Sequence, residues 1–526
     1  MNRLRTVVLP ALLVLVARGL HAQQNDLPLN RDVYYDLDRN HACLTSTVHT
    51  AMRPYIESRA DLTGVMGHRA DTNRYYYDVE KYLFERHLFE VREGDLRAYL
   101  DPVFQFDMGF DFSALYVDST YGSTRYNGRG LRIAADLGPR LSVQTTFYEN
   151  QADLPTYLYL YANQTGAVPG QGRVKTLDRT TMDFAWAMGN VSYTPWRWLN
   201  LQFGNGRLFV GDGYRSLMLS DNASPYPYFK AAVLAPSGRW QYTTITSKLE
   251  MFDRLPTGSS SESLFYWKRG TFHHASVNLG RAQLGFFEST LWRTIDSSGV
   301  EPFNAWQVNP LPLLNTFVGA REGIDNQLLG VHGKLKLTDK AYLYGQYVLD
   351  PTATGRNGWQ AGVQWFDLLR RDIHFLVEYN NASPFLYTAN DADMNMVHMG
   401  HPMAHPMGTH FGELVAIADM RIRNRWAFQA KVNRAITHQD RSDTLSYGSS
   451  IFKPGIEGPA GPLSEPIALT RTYVDLSASF LMNHVTNMRV TLGWSYRDVT
   501  PYPTNQNASH LYLGFRTGLF NRYYDI

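Results

Sequence analysis

The stretch NMRVTLGWSYRD, residues 487–498, decides the fold class because its apolar and polar residues alternate one by one. In an extended strand such alternation places the apolar side chains on one face and the polar ones on the other. An apolar face in lipid opposite a polar face in a lumen is typical of a transmembrane β-barrel strand of roughly ten residues. The apolar face comprises Met488, Val490, Leu492, Trp494 and Tyr496.

Two other segments, 358–365 and 425–433, show the same alternation. Their intervening residues are mainly Gly, Gln, Lys and Asn, which suit a polar lumen. A soluble sandwich has a polar outer face and shorter strands, so the repeated pattern favours a membrane barrel. The residues predicted to face lipid are Trp359, Ala361, Val363 and Trp365 in the first segment and Trp426, Phe428, Ala430 and Val432 in the second.

Short turns alternate along the chain with longer connections, as expected when short periplasmic turns and longer outer loops join barrel strands. We therefore predict an all-β fold, a transmembrane antiparallel β-barrel of about 18 strands over 97–526, with about sixteen or twenty strands as alternatives. The predicted turns are 137–140, 193–198, 235–238, 279–282, 337–340, 368–371, 422–425 and 483–487. The longer connections include 151–181, 207–227, 294–325, 382–409 and 436–471.

The composition fits this class and excludes others. The chain has 33 Tyr, 27 Phe and 11 Trp, which suits the aromatic girdles of a barrel. It has 50 Lys and Arg against 48 Asp and Glu, without a basic run, so no nucleic-acid partner is predicted. The single cysteine, Cys43, excludes an intramolecular disulfide and is expected to be a small buried side chain.

Residues 1–22 are predicted to be a signal peptide. Arg3 and Arg5 precede an apolar run over 7–17 that is too short to span a hydrocarbon core of roughly 30 Å. Cleavage is expected directly after Ala22. Export of a barrel of this kind predicts a location in the bacterial outer membrane.

Residues 23–96 are predicted to be a helical periplasmic segment at or inside the periplasmic mouth of the barrel. One helix is expected over much of 38–58, ending near Pro54, and Asp71 and Thr72 could cap a second. Apolar residues at helical spacing in the second helix are Tyr77, Phe84, Leu88 and Val91.

Three ordered motifs lie in the predicted long connections. They read GNGRLFVGDGYRSLMLSDNASPYPYFK at 204–230, NPLPLLN at 309–315, and VEYNNASPFLYT at 377–388 followed by HMGHPMAHPMGTHFGE at 398–413. In order and spacing they resemble the Wzi-type capsule-assembly outer-membrane proteins, particularly the Bacteroidetes branch that includes RemB-type gliding-motility proteins.

The last motif in that branch usually reads Pro-Leu-Ala-His-Pro-Leu-Gly before an acidic residue. His405 and Glu413 match this pattern, whereas Met403 and Met407 replace leucines. The resemblance implies an eighteen-stranded outer-membrane barrel with a helical periplasmic segment, of a family whose best-known members hold capsular polysaccharide at the cell surface.

We therefore predict a non-enzymatic outer-membrane barrel that anchors or helps assemble capsular or other surface polysaccharide. Its expected partners are outer-membrane lipid and that polysaccharide. One alternative is an accessory of gliding motility or surface adhesion that docks gliding or secretion machinery. A porin is another, although the Pro-rich aromatic segments 222–229 and 309–317 look suited to filling a lumen.

The first motif contains the candidate glycan or partner loop. Its glycines permit a tight turn, its arginine can pair bidentately with a carboxylate, and its tyrosines offer faces on which a sugar could stack. The alternative is a rigid loop that only plugs the lumen. The missing third glycine disfavours a dinucleotide site. The candidate residues are Asp212, Tyr214, Arg215, Tyr226 and Tyr228, with His405 and Glu413 from the last motif.

The segment 394–410 contains five methionines and four histidines. Imidazole and thioether together suit copper, but Met403 and Met407 stand where the resembling proteins have leucine, which favours packing. We predict no metal and no other cofactor. If a metal binds, the first candidates are His398, His401, His405 and His410.

Catalysis has little support in the sequence. An outer-membrane phospholipase needs a serine activated by a histidine that a third group orients. RSLMLS at 215–220 and HPMAHP at 401–406 contain such residue types, but no pattern places them together.

Overall fold

The computed structural model describes residues 24–63, 65, 78–113, 122–177, 180–254, 265–296, 299–301, 303–318, 324–370, 372–423, 425–501 and 507–526. The predicted signal peptide over 1–22 lies outside these residues, as do Asp71, Thr72 and Tyr77. Within the described ranges, no helix combines the length and apolar character needed to cross a bilayer.

Eighteen long strands form a closed antiparallel barrel in which each strand pairs with its neighbours around the ring, so the predicted fold class is confirmed. The strands are β1 (Leu96–Asp111), β2 (Ser123–Leu137), β3 (Leu141–Asp153), β4 (Thr181–Trp196), β5 (Leu199–Gly206), β6 (Tyr226–Leu234), β7 (Trp240–Arg254), β8 (Phe265–Leu279), β9 (Ala282–Arg293), β10 (Ile324–Thr338), β11 (Ala341–Leu349), β12 (Asn357–Trp365), β13 (Ile373–Ala382), β14 (Phe411–Ile422), β15 (Trp426–Gln439), β16 (Ile467–Asn483), β17 (Met488–Thr500) and β18 (Ala508–Thr517).

The eight predicted short turns all fall between consecutive strands at one end of the barrel, here called the turn end. The turn predicted at 193–198 is shorter than expected, because β4 continues to Trp196. The opposite end, here called the loop end, carries the longer connections. In outer-membrane barrels the turn end faces the periplasm and the loop end the exterior.

The predicted alternation of faces is confirmed in β17. Leu492 is 54% exposed on the outside of the barrel, whereas its neighbour Thr491 is 6% exposed and faces the lumen. Trp359 and Trp426 also lie exposed on the outer wall. The sequence period therefore identifies the lipid-facing side of these strands correctly.

Helix α1 (Arg31–Ala42) fills the lumen at the turn end and begins at Asn30, whose side chain accepts a hydrogen bond from the Asp32 N–H. The prediction of a helix over 38–58 was therefore wrong in its bounds. After Ala42 the sequence CLTSTVHT is rich in β-branched residues, which favour helices weakly. The Lys336 ammonium instead binds the carbonyl oxygens of Cys43 and Ser46 at 2.8 and 2.7 Å.

The remainder of this N-terminal segment also packs against the turn end. Cys43 is half-buried rather than buried, and its thiol lies 3.4 Å from Asp339 of a short turn. The chain then passes back into the lumen, where Met52–Arg53 pairs with Phe209–Val210 of a loop-end connection. Residues 24–63 thus plug the barrel, and we call them the plug.

Helix α2 (Asp78–Phe84) is shorter than predicted, because Phe89–Glu93 forms a strand instead. Val91 therefore lies in a strand and Leu88 just before it. The physical reason is an open edge on β1: β18 pairs with β1 over seven positions, 105–111, and the short strand pairs with the first five, 96–100. The barrel sheet consequently begins before residue 97, the predicted boundary.

Two further helices lie in loop-end connections, α3 (Thr156–Thr165) and α4 (Leu314–Val318). Helix α3 ends at Gly166, which adopts a left-handed conformation with φ of 79°. Short 3-10 turns lie at Glu57–Arg59, Ala305–Val308, Leu368–Arg370 and Ala392–Met394.

Candidate functional site

Three further segments fill the lumen. The loops 207–225 and 383–410 enter from the loop end, whereas the tail 518–526 enters from the turn end, where the Gly518 N–H donates to the Asn487 carbonyl at 2.9 Å. Apolar side chains of the two loops form one buried cluster with the inner faces of the strands, as when Leu217 and Met218 pack with Met403. Met394 and Met396 belong to the same cluster, and Met407 packs against it. Four of the five methionines of 394–410 therefore pack in the lumen.

The first loop, 207–225, turns through a close approach of backbone to wall at Gly213. A Cβ at this position would lie 2.2 Å from an Oε atom of Glu378, so only glycine fits. Glu378 on β13 accepts hydrogen bonds from the N–H groups of Tyr214 at 2.7 Å and Arg215 at 3.0 Å. The GDG sequence thus lets a buried carboxylate hold the loop by its backbone.

Arg215 forms the centre of a buried ion cluster. Its guanidinium binds Glu413 on β14 through Nε at 3.2 Å and a terminal nitrogen at 2.8 Å. The same nitrogen lies 3.3 Å from Asp525 of the tail, and all three side chains have no exposed surface. Burial lowers the Arg215 pKa, but Asp525 and Glu413 raise it well above its usual value, so the group is charged.

Other side chains complete this cluster. His405 binds Glu413 through Nε2 at 2.7 Å. The Tyr214 hydroxyl donates to Asp525 at 2.6 Å, and Lys431 on β15 lies 3.1 Å from the same carboxylate. One network therefore ties both lumen loops and the tail to the wall.

Asp212 forms a second buried pair that joins the loop to the plug. Its carboxylate lies 3.1 Å from Lys334 on β10 and accepts a hydrogen bond from the Thr50 hydroxyl. Burial raises the Asp212 pKa, but Lys334 and Arg53 lower it more, to about 2. The loop is thus fixed from both ends of the barrel.

Tyr226 and Tyr228 begin strand β6 rather than lying in a loop, and both face the lumen. Tyr226 has no exposed surface and packs edge-on against His398, with ring centroids 5.7 Å apart. Tyr228 is 4% exposed, and its hydroxyl accepts from Asn190 at 3.4 Å. Neither ring offers the open face that sugar stacking requires.

All seven candidate residues are therefore brought into the lumen, and each is at most 4% exposed. The sequence left two alternatives for this loop, a wall that contacts a glycan and a plug of the lumen. The buried positions match a loop that plugs the lumen. Asp525 and Lys431 belong to the same network and were missed. Lys431 could have been found from its predicted inward position opposite Trp426 and Phe428, whereas no sequence signal pointed to Asp525.

The four candidate metal ligands do not converge. His398 Nδ1 accepts from the Glu250 N–H at 2.9 Å, and the His401 Nε2–H donates to the Val168 carbonyl at 2.9 Å. His405 binds Glu413, and His410 stacks on His438 with ring centroids 3.6 Å apart. Among the described residues, no three His, Cys, Asp or Glu side chains are grouped as a metal site.

The two serines of RSLMLS donate hydrogen bonds to backbone carbonyls and not to these histidines. Ser216 donates to the Val210 carbonyl at 2.5 Å, and Ser220 donates to the Ala404 carbonyl. Both hydroxyls therefore stabilise loop backbone.

A cavity of about 300 Å³ remains in the lumen beside the tail, between α1 and the wall formed by β12 to β18 and β1. Its charged side chains are largely paired, as in Arg489 with Asp32 at 3.1 Å and Arg522 with Asp107 at 3.0 Å. The charged and aromatic residues that line it include Arg31, Asp32, Asp107, Arg421, Lys431, Tyr473, Arg489, Tyr512, Arg516 and Arg522.

The backbone is similar to that of Wzi from Escherichia coli, an outer-membrane protein involved in group 1 capsule assembly and described as a carbohydrate-binding β-barrel. The TM-score is 0.55 at 14% identity, covering 94% of this chain and 100% of that one. Pseudomonas aeruginosa OpdQ also matches (TM-score 0.43, 10% identity, 81% and 98% covered), as does Acinetobacter baumannii OccAB3 (0.42, 10%, 80% and 98%).

No protein-family model matches the chain, and no curated protein matches it by sequence. The likeness to Wzi at low identity shows the fold, that of an outer-membrane β-barrel.

Proposed function

We propose that the protein is a non-enzymatic outer-membrane barrel that holds or helps assemble capsular or other surface polysaccharide. The observation that carries this proposal is the likeness over 94% of the chain to a barrel described as carbohydrate-binding. An N-terminal signal peptide over residues 1–22 belongs to the same proposal, since the barrel must be exported.

The filled lumen supports an anchoring role over that of a porin. A porin needs a continuous water-filled channel. Here the plug and the tail fill the lumen from the turn end, and two loops fill it from the loop end. The space left beside the tail is about 300 Å³ and is crossed by ion pairs.

We propose that the buried candidate residues act by fixing the shape of the loop-end surface. The loop over 440–466 rests on the loop 383–410, because the Asn395 amide donates to the carbonyls of Ile451 at 2.7 Å and Lys453 at 2.9 Å. A surface held in one shape loses less entropy when it binds a glycan. The seven residues are Asp212, Tyr214, Arg215, Tyr226, Tyr228, His405 and Glu413.

The proposed glycan-contacting surface lies on 440–466 itself. Phe452 is 43% exposed there and offers a ring face for stacking, and Arg441 is exposed nearby in sequence. In Phe452→Ala, cell-bound polysaccharide should fall while the barrel still assembles, as judged by heat-modifiable gel migration. Leu177→Ala, an exposed apolar residue of another loop-end connection, is the matched control. Equal retention in both variants would remove this loop from the proposal.

Deleting the protein tests the function as a whole. Cell-bound polysaccharide should fall on deletion and return with the wild-type chain. Normal polysaccharide with lost gliding or adhesion would instead support the accessory alternative. Single-channel conductance of the purified protein in planar bilayers would support the porin.

Topology has a separate test. An epitope tag inserted in 440–466 should be reached by antibody on intact cells, whereas a tag in the turn 484–487 should be reached only after permeabilisation. Equal labelling of both tags would overturn the orientation.

A further inference from the structure

The outward positions of β8 and β9 are unusually polar at mid-height. Inward positions are identified by their partners: Lys268 binds the Asp393 carbonyl of a lumen loop, and Gln283 lies 3.4 Å from the Val48 carbonyl of the plug. Since side chains alternate along a strand, the opposite set must point away from the lumen. That outward set includes Arg269, Thr271, His273, Glu288 and Thr290.

Residues 303–317, here called the strap, cover this polar patch from outside the barrel. The Gln307 side chain accepts from Arg269 at 2.5 Å, and its carbonyl accepts from the Thr271 hydroxyl at 2.6 Å. The Pro310 carbonyl accepts from Tyr242 of β7, whose hydroxyl also lies 2.7 Å from His273. The prediction that 309–317 fills the lumen was therefore wrong.

Glu288 is the main anchor of the strap. It has no exposed surface, although it lies on the outer side of the wall. Its carboxylate accepts from the N–H groups of Leu313 at 2.6 Å and Thr316 at 3.2 Å, and from the Thr316 hydroxyl at 2.6 Å. A charge that would otherwise face the membrane is thus enclosed by protein.

The side of the strap that points away from the barrel is apolar. Phe317 is 80% exposed and Leu311 is 58% exposed, while the asparagines of NPLPLLN, Asn309 and Asn315, are buried toward the wall. Residues 303–317 contain no charged side chain. The exposed apolar set is Phe303, Val308, Leu311, Leu313 and Phe317.

The strap lies at the height of the membrane. Glu288 is six residues along β9 from Ala282 at the turn end. With roughly 3.3 Å per residue and a tilt of about 40°, this places it roughly 15 Å above the turn, inside an apolar band about 25 Å tall.

Irregular backbone is tolerated at this depth only where its polar groups are satisfied within the protein. Pro310 and Pro312 lack N–H groups and leave nothing to satisfy there. The Leu311 N–H binds the Asn309 side chain at 3.0 Å, and the Phe317 N–H binds the Leu313 carbonyl at 3.2 Å. The motif NPLPLLN thus reduces the number of polar groups that face outward.

We propose that the strap is embedded in the hydrocarbon layer of the outer membrane and that lipid acyl chains cover its exposed face. Phe317 and Leu311 then belong to the same lipid-facing surface as Leu492 on β17. A loop-end connection therefore forms part of the wall that the membrane contacts.

Fluorescence quenching tests this placement in the whole chain. In a Cys43→Ser background, Phe317→Cys, Leu492→Cys and Phe452→Cys are labelled with bimane and reconstituted in phosphatidylcholine vesicles. A mid-chain nitroxide lipid should quench the labels at 317 and 492 to a similar extent and leave the label at 452 bright. Iodide in the buffer should quench only the label at 452.

Quenching at 317 by iodide would place the strap in water and overturn the proposal. Quenching at 317 by neither agent would mean that protein covers the face, for example a second copy of the chain, and would overturn it equally. Each variant must first show heat-modifiable migration, and Leu311→Cys replaces Phe317→Cys if the latter does not fold.

Discussion

The lumen loop 207–225 and the strap look alike in sequence but lie on opposite sides of the barrel wall. The first motif runs through Pro225 and Pro227 with tyrosines, and the strap contains NPLPLLN with aromatic residues on both sides. They differ in charge: the lumen loop contains two arginines and two aspartates, whereas the strap has no charged side chain. The difference in charge thus matches the side of the wall on which each of these two connections packs.

The two connections are nevertheless held by the same device. Glu378 on the inner face and Glu288 on the outer face each accept from two backbone N–H groups of the segment they hold. Inside, arginine and lysine side chains add ion pairs, as Arg215 does with Glu413. Outside, the strap adds only neutral donors, because the membrane penalises every uncompensated charge.

The largest effect on stability is expected when the buried positive charge of Arg215 is removed from the lumen. Arg215→Met leaves the carboxylates of Glu413 and Asp525 buried without their shared cation, which should cost about 3–5 kcal/mol. Unfolding in urea, followed by heat-modifiable migration, measures the loss. Arg441→Met, at an exposed position, is the control. Equal stability of the two variants would mean that the lumen network does not hold the loop.

The next largest effect is expected when a positive charge is added to the outer surface of the barrel. Leu492→Arg and Phe317→Arg should each cost about 2–4 kcal/mol if both positions face lipid at mid-depth. Assembly in cells and urea midpoints in vesicles report the change. Thr491→Arg, which faces the lumen cavity, should be tolerated better. A harmless Phe317→Arg beside a harmful Leu492→Arg would separate the strap from the lipid-facing wall.

A smaller effect is expected at the outer anchor. The Glu288 carboxylate accepts from two N–H groups and a hydroxyl. In Glu288→Gln an amide NH₂ group replaces one of the two acceptor oxygens, which should cost about 1–3 kcal/mol. Hydrogen exchange should rise in peptides of the strap and not in those of the lumen loop. Glu465→Gln, at an exposed position, should change neither.

The smallest effect is expected from pH, acting on the lumen loop 383–410. Burial lowers the pKa of His398 to about 4 and of His401 to about 3, from an ordinary value of 6.5. The unfolded loop then binds protons that the folded loop excludes, so stability falls as the pH drops below 6.5, by about 1–2 kcal/mol per histidine near pH 5.

Hydrogen exchange at neutral and mildly acidic pH, corrected for the intrinsic rate, distinguishes the two connections. Peptides of 383–410, which contain four histidines, should lose protection in acid. The strap has no titratable side chain of its own and is held by Glu288 and, through Tyr242, contacts His273, so it should change less. An equal loss in both would show that acid opens the barrel as a whole.

Much of the fold could be predicted because alternation in strands such as β17 depends on local sequence alone. The burial of the candidate residues could not be predicted, because Arg215 meets Glu413 and Asp525 only after the chain has closed on itself. His273 and Glu288 carry a sequence signal of their own, because polar residues at outward positions of a membrane strand require a cover. The helix expected over 38–58 failed because the partner of its carbonyls, Lys336, lies far along the chain.

The seam between β18 and β1 has a consequence for how the ring is assembled. It joins the two strands over seven positions, whereas β1 and β2 pair over fifteen. Residues 96–100 of the β1 edge are taken by 89–93, a hairpin partner so close in sequence that it can form early. While the sheet is still open, that hairpin shields the lower edge of its first strand from pairing with other chains. The last strand then pairs with 105–111, beyond the part of the edge that the hairpin covers, so the hairpin limits the registers in which the ring can close.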